Sequence, residues 1–529
     1  MTAREGRMEV DYIVIGAGSA GCAVAARLSE RANVTVALLE AGGTDDDPNI
    51  HIPAAFPALF NSRQDWAYHS EPMAELGGRS DYLPRGKVLG GSSSINAMIF
   101  QRGHPANYDG WAALGNDGWA WRDVLPFFKK CQDQGRGASD AHGIGGPLAT
   151  VDAQSPNRLS LAFVEACAAA GLPLNPDFNA GHQEGFGLHQ VTQRNGERCS
   201  AAAGYLPAAM ARSNFTVITD AAVERLILEG MRCTGAVFRR GGTAQAVAAR
   251  REVIVCAGAY NSPQLLMLSG IGPAAHLRSL GIDLVRDLPG VGQNLQDHVM
   301  VPVAYSCTQP ITMAGAGEPA ELARYQESRA GLLSSNIGEA GGFVRLDPRS
   351  PAPELQLIFA PAYLVRHGLD NPAGHGFTCH PGAVMPKSVG TVTLRSADPA
   401  SAPIIDCNFL ADDADVHVLL AGIRLARRII AAAPFDPYRG TEQFPGADAQ
   451  SDAELRAYIR TQAQTIYHPV GTCKMGGDRL SVVDARLRVH GVQGLRVADA
   501  SIMPFIVNAN TNVPASMIGE KCADQILNS

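Results

Sequence analysis

Residues Asp11 to Arg27 read DYIVIGAGSAGCAVAAR, and their order decides the architecture of the N-terminal part of the chain. Tyr12 to Ile15 is a short apolar, β-rich run. Gly16, Gly18 and Gly21 follow in the spacing GxGxxG and lead into an alanine-rich stretch of helical composition,. This is the signature of a strand, a tight turn and a helix. Gly16 permits the turn, Gly18 lets a backbone approach a pyrophosphate, and Gly21 lets the helix lie close on the strand. The first helical residues, Ser19 and Ala20, then offer free N–H groups and the positive end of a helix dipole. A second strand-like run, Val34 to Leu39, ends in Glu40, nineteen residues past Gly21. A carboxylate there accepts hydrogen bonds from an adenosine ribose and repels a 2′-phosphate. The unit is therefore expected to hold a dinucleotide other than NADP, with Ala41 beside Glu40 in the same turn.

A chain of 529 residues exceeds the size at which one core keeps growing, so two domains are expected,. Apolar residues make up 46% and charged ones 18%, an ordinary globular balance. A net charge of −7 without any Lys/Arg-rich run gives no footprint for nucleic acid,. The leader MTAREGRMEV is charged rather than apolar, and no run of about eighteen apolar residues occurs,. Eleven scattered cysteines without a CxxC pair suggest neither a disulfide framework nor a zinc cage,. A cytoplasmic protein is expected. Peripheral attachment to a membrane and a homodimer are both compatible with this composition.

Further along, Gly86 to Asn96 reads GKVLGGSSSIN and continues into Ala97, Met98 and Ile99. Small residues between apolar flanks fit a loop lying against a flat ligand better than a free linker. Residues 104–128 are rich in aromatics, which reads as core,. From Asn214 to Gly258 the pattern returns to strands. Residues 301–479 carry strand-like pieces separated by turns, such as Glu354 to Phe359 and Thr391 to Leu394, and predict an antiparallel sheet,. That sheet would roof the site, with Met98, Phe359, Tyr363 and Tyr467 as candidates to line it.

Taken together, Gly86-Lys87, Gly90-Gly91-Ser92-Ser93 and Asn96, the run Gly258 to Pro273 (GAYNSPQLLMLSGIGP), the GxGxxG and the C-terminal motifs resemble the glucose–methanol–choline (GMC) flavoprotein oxidoreductases over nearly the whole chain. The resemblance implies an α/β, Rossmann-like FAD-binding domain and a second α+β substrate domain on a mostly antiparallel sheet. The FAD-binding domain would take residues 1–155, 213–300 and 480–529, with a crossover segment at 156–212 and the substrate domain at 301–479. It implies FAD lying on the segment Gly90 to Ile99, with Val223 at its adenine end, Asp499 and Ala500 at its pyrophosphate, and Val513 also in contact. Some relatives link the flavin covalently through a histidine preceding the asparagine that matches Asn96. Ile95 stands there and has no nucleophilic atom, so noncovalent FAD is expected.

His468 opens the run HPVGTCKM, and Pro469 keeps it out of helical backbone,. In the family a histidine at this motif faces the flavin, with a His or Asn some forty residues on. Asn512 lies 44 residues after His468, and Asn510 competes with it. The expected reaction is oxidation of a primary alcohol. His468 would take the hydroxyl proton, Asn512 would hold the oxygen, and hydride would pass to the flavin. Alternatives are a choline dehydrogenase and a hydroxynitrile lyase that keeps a non-redox flavin. Choline would need an acidic or aromatic cage, for which Glu339 is the candidate charge. An uncharged alcohol is the favoured substrate. The electron acceptor, whether oxygen, a quinone or another protein, depends on cavity shape beside the flavin rather than on any motif.

Overall fold

The computed structural model describes residues 8–528, and the charged leader at residues 1–7 lies outside them. Two sheets organise the described chain. The first has seven strands. Met8–Ile15 lies between Val36–Leu39 and Thr243–Val255, parallel to both, and Phe215–Ile218 extends the sheet beyond Val36–Leu39. Parallel strands are covered on both faces, which is why Ile13 and Val14 are fully buried and the run reads as continuously apolar,. Arg232–Arg240 and Ala222–Glu229 continue the other edge as an antiparallel meander, while Leu495–Val497 pairs with the end of Thr243–Val255. Distant pieces of chain thus meet on one sheet, each bringing one turn to the ends of its strands.

The helix Ser19–Leu28 runs off the first strand through the glycine turn. Gly16 sits at φ +97°, and a Cβ on Gly21 would stand 1.8 Å from the Gly16 carbonyl oxygen, so the helix touches the turn backbone to backbone,. The C-terminal helix Asn512–Leu527 lies alongside it. Gly519 meets the Ala20 carbonyl in the same way, and the fully buried Glu520 pairs with Arg27 at 2.8 Å and accepts from the Tyr205 hydroxyl at 2.9 Å. A buried carboxylate needs such partners, and here they fasten three helices together.

The second sheet has eight strands, in the order Arg439–Phe444, Val303–Cys307, Gly376–Ala383, Leu355–Ala360, Ala340–Val344 and Gly185–Leu188, with the short Val299–Met300 and Gln464–Thr465 off one end. Every one of these pairings is antiparallel. Thr391–Thr393 stands apart from this sheet and pairs only with Ile404–Asp406. The Gly185–Leu188 strand comes from the 156–212 crossover and closes the edge beside Ala340–Val344. Phe359 stacks on Phe163 at 4.7 Å and sits in the core under this sheet, and the Tyr363 ring covers Gly376, so neither lines the cavity. The aromatic run after residue 104 is core: Trp111, Trp119 and Phe128 are fully buried, with the two indole N–H groups donating to the Phe505 and Ala485 carbonyls,. No helix among the described residues is long and apolar enough to cross a membrane.

Gly21→Ala places a methyl group into a carbonyl oxygen that belongs to the same turn. The holoprotein is expected to lose roughly 3 kcal/mol or more of stability, read as a lower melting temperature and a lower FAD content after purification.

Candidate active site

The two sheets enclose a cavity of about 690 Å³, within the range of small-molecule and cofactor sites,. Gly16, Gly18, Ser19, Ala20, Glu40, Ala41, Gly91, Ser92, Asn96, Ala97, Met98, Ile99, Val223, Asp499, Ala500, His468 and Asn512 all line it. Residues separated by hundreds of positions are therefore brought to one space. Three expected contacts are not on its wall. Gly21 is the packing glycine described above. Gly90 stands one step behind, its N–H donating to the Ala17 carbonyl at 2.8 Å. Val513 is fully buried in the core of the first domain, because the residue after Asn512 on a helix points to a different face,.

The cavity has the features a dinucleotide needs. A Cβ on Gly18 would meet no atom within 4 Å, leaving open space at the helix N-terminus for a phosphate,. The Glu40 carboxylate accepts from the Ala17 N–H at 2.8 Å and from the Gly42 N–H at 2.9 Å. Burial raises its pKa to about 7 against those hydrogen bonds,. Glu40 thus fastens the glycine turn to the second strand, and each oxygen keeps a lone pair for a ribose. Asp499 accepts from the Gly258 N–H and the Ser262 hydroxyl, which ties the second signature motif to the C-terminal one. Asn96 receives the Met98 N–H at 3.0 Å and the Arg198 guanidinium at 2.8 Å, fixing the loop on which Met98 adopts φ +55°.

His468 is 7% exposed and is the hub of the polar residues at the other end. Its backbone N–H donates to Asp297 at 2.7 Å, and the preceding Tyr467 is held at φ +70°. Its Nδ1 lies 2.9 Å from Nδ1 of His298, and its Nε2 lies 3.1 Å from Nδ2 of Asn510. Gln356 Nε2 donates to Asn510 Oδ1 at 3.3 Å, which orients that amide with its NH2 toward the imidazole. An amide NH2 only donates, so His468 Nε2 carries a lone pair and Nδ1 carries the proton given to His298. Burial, the neighbouring His298 and the Arg85 charge hold the pKa of His468 well below that of an ordinary histidine,.

This geometry corrects one expectation. Asn510, rather than Asn512, stands beside His468. Asn512 begins the C-terminal helix, where its Oδ1 accepts from the Ser19 hydroxyl at 2.5 Å. The 44-residue spacing counts positions along the chain, whereas helix initiation at Asn512 turns its side chain toward the first helix. Glu339 is also removed from the substrate. It lies buried behind the sheet, accepting from the Asn157 N–H at 2.7 Å and the Ser160 hydroxyl at 2.6 Å, and Ser335 also donates to it. His298, Gln356, His380 and Gln464 were not singled out in the sequence. The only trace they leave there is an alternating pattern whose facing cannot be assigned before the strands are paired.

Comparison with known proteins fits this architecture. The GMC oxidoreductase N-terminal model matches residues 10–300 and the C-terminal model residues 386–519. The chain belongs to the GMC oxidoreductase family. It is 45% identical to an oxygen-dependent choline dehydrogenase of Brucella suis biovar 1, over 98% of this chain and 96% of the relative. It is 44% identical to an alcohol dehydrogenase [acceptor] of Pseudomonas putida, over 98% and 95%. Among solved structures, pyridoxine 4-oxidase from Mesorbium loti superposes with TM-score 0.90 at 33% identity, covering 98% of this chain and 99% of that one. An Aspergillus oryzae formate oxidase variant, studied for FAD modification, gives TM-score 0.93 at 31% identity with 99% of both chains covered. As a GMC oxidoreductase the protein is an FAD-dependent enzyme.

Burial has a further consequence. It depresses the pKa of His189 to about 4, of His298 to about 3 and of His380 to about 4, and that of His468 likewise. The unfolded chain binds protons at these histidines below about pH 6.5 while the folded one does not. Their contribution to stability is therefore complete above about pH 6.5 and is lost as the pH falls toward 4, each group costing up to about 1.4 kcal/mol per pH unit. Glu40 and Asp297, whose pKa values burial raises to about 7, take up protons in the folded state over the same range and offset part of this loss,. Melting temperatures measured from pH 7.5 to 5 are therefore expected to fall below about pH 6.5 by less than the histidines alone would give.

Proposed function

We propose that the protein oxidises an uncharged primary alcohol to the aldehyde, with His468 taking the hydroxyl proton and Asn510 holding the oxygen. The observation that carries this reading is the Gln356–Asn510–His468–His298 chain. It leaves a deprotonated Nε2 and an amide donor 3.1 Å apart on the wall of the cofactor cavity. A hydroxyl that displaces the amide from Nε2 offers its proton to the ring while its oxygen receives the amide N–H. Proton removal and stabilisation of the developing alkoxide thus occur at one place. His298 accepts from Nδ1–H and steadies the ring once Nε2 is protonated, and Asp297 fixes its backbone. Bound FAD supplies the acceptor for the hydride that leaves the α-carbon. Van der Waals contact from Met98, Ile99 and Ile466 keeps water from this end of the cavity.

The choline dehydrogenases among the relatives raise the question of a cationic substrate. The acidic side chains on the cavity wall are Glu40 and Asp499, both occupied with backbone N–H groups at the nucleotide end. Trp66 already carries the Lys87 ammonium over its ring at 4.6 Å, and Arg85 adds a second positive charge on the same wall. At the His468 end a quaternary ammonium would meet the Arg85 charge and, among the described residues, no carboxylate on the wall, with the Phe60 and Tyr467 rings as its aromatic neighbours,. These observations favour the uncharged alcohol.

Stopped-flow anaerobic flavin reduction tests the assignment. His468→Ala is expected to retain FAD, whose cradle lies elsewhere, and to slow reduction by roughly a hundred- to ten-thousandfold. Asn510→Ala should cost up to about 3 kcal/mol in the same step, and Asn512→Ala distinctly less. A slower Asn512→Ala than Asn510→Ala would reverse the two roles. Because the folded pKa of His468 is depressed, wild-type reduction should be independent of pH above about 6.5 and decline only at lower pH, where the ring takes a proton.

The flavin is also proposed to be noncovalent. Ile95, 3% exposed, offers no atom to bond it. Acid precipitation should release the yellow colour into the supernatant, and colour retained in the pellet would contradict the proposal.

A further inference from the structure

The roof sheet turns one face to the cavity, and its register shows which side chains share that face. Ile358 lies opposite His380, Gly382 opposite Met300, and Met300 opposite Gln464. His380 and Gly382 are two residues apart on one strand and therefore point the same way. Ile358, His380, Met300 and Gln464 all line the cavity. Gly382 contributes no side chain, and a Cβ there would stand 2.5 Å from Cδ1 of Ile466. This wall adjoins the reaction centre at both ends. Gln464 precedes His468 by four residues, and Gln356, two residues before Ile358, holds Asn510.

Two residues of this wall end in polar atoms that no other described residue engages. His380, 3% exposed, donates its Nε2–H to the Leu364 carbonyl at 2.9 Å, so Nδ1 carries a lone pair,. No group among the described residues donates to that lone pair. Gln464, also 3% exposed, uses Oε1 to accept the His367 N–H at 3.2 Å, which leaves both hydrogens of Nε2 without an acceptor. Neither His380 nor Gln464 is among the residues whose polar atoms are both sealed off and unpartnered, so these atoms are reached from the cavity. Burial keeps the His380 ring neutral, with its pKa pushed down to about 4, so it remains an acceptor at neutral pH,. An acceptor and a donor left open on an otherwise apolar wall are costly unless a ligand satisfies them.

We propose that this wall is a second substrate subsite, and that the preferred substrate is an alcohol carrying a second, neutral hydroxyl remote from the carbon that is oxidised. That hydroxyl donates to His380 Nδ1, and Gln464 Nε2 donates to oxygen at the same end of the substrate. A trimethylammonium group has neither an N–H nor a lone pair and satisfies neither residue. The proposal rests on the alcohol-oxidation reading and adds the chemical class of the substrate to it.

The test compares substrates matched in size: 1,6-hexanediol against 1-heptanol, and 1,4-benzenedimethanol against 4-ethylbenzyl alcohol. The readout is the specificity constant for anaerobic flavin reduction by the wild-type holoenzyme. A diol with two equivalent ends has an advantage of about twofold by statistics alone. One added hydrogen bond is expected to raise the preference to about tenfold or more in at least one pair. In His380→Phe and Gln464→Leu, checked for FAD content and melting temperature, the ratio should fall toward the statistical value. If the monoalcohols reduce the flavin and the diols show only the statistical advantage, the subsite is refuted while alcohol oxidation stands. A preference that survives in both variants also refutes it. If neither class of alcohol reduces the flavin, the alcohol-oxidation reading fails and the subsite falls with it.

Discussion

Backbone meets backbone where the first helix leaves the first strand, and the cofactor cavity depends on that contact. A Cβ at Gly21 would stand 1.8 Å from the Gly16 carbonyl oxygen, and one at Gly519 would stand 2.4 Å from that of Ala20. No side chain larger than hydrogen fits at either place, so the positions of two helices relative to the sheet are set by van der Waals limits rather than by soft packing. The buried Arg27–Glu520 pair then secures them, since neither charge can be left alone in that interior,. Both helix N-termini consequently open on the same cavity, and the Ser19–Asn512 hydrogen bond joins them.

The opposite wall follows another logic. His468 draws its setting from separate parts of the chain: Asp297 and His298 from the segment entering the second sheet, Gln356 from a central strand, and Asn510 from the loop before the last helix. The hydrogen bonds run in one direction along this chain. Gln356 donates to Asn510, Asn510 to His468 and His468 to His298, which fixes the tautomer of an imidazole that would otherwise be ambiguous,. Deep burial keeps that ring neutral, the form in which it accepts a proton,. His468 thus stands at one end of the cavity and the glycine turn with its helix N-terminus at the other. The small-residue loop at Gly91 to Ile99 runs along the wall between them.

Charge on the cavity wall divides in the same manner. Its carboxylates belong to the nucleotide end and are engaged with backbone N–H groups, whereas the wall near His468 has no carboxylate among the described residues and offers neutral polar atoms, aliphatic side chains, the Tyr467 ring and the Arg85 guanidinium. Glu339 shows why residue type alone misleads. It follows Gly338, which lines the cavity, in the loop that leads into Ala340–Val344, yet its side chain turns away from the cavity to accept from Asn157 and Ser160 at the start of the Arg158–Ala169 helix.

The sequence alone determined the parts of this protein in which one local rule has one outcome. Apolar β-rich residues followed by GxGxxG and a carboxylate nineteen residues on gave the strand, turn and helix of the dinucleotide site. The small residues after Gly86 marked the loop along the cavity, and His468 followed from its motif. Tertiary structure decided which way side chains face. Asn510 and Asn512 are separated by two residues, and only the start of a helix at Asn512 sends one amide to Ser19 and the other to His468. Phe359, Tyr363 and Val513 went to the core for the same kind of reason. The polar atoms of His380 and Gln464 became visible only when strands distant in sequence came into register, because whether an atom has a partner is a property of the assembled sheet and not of any residue within it.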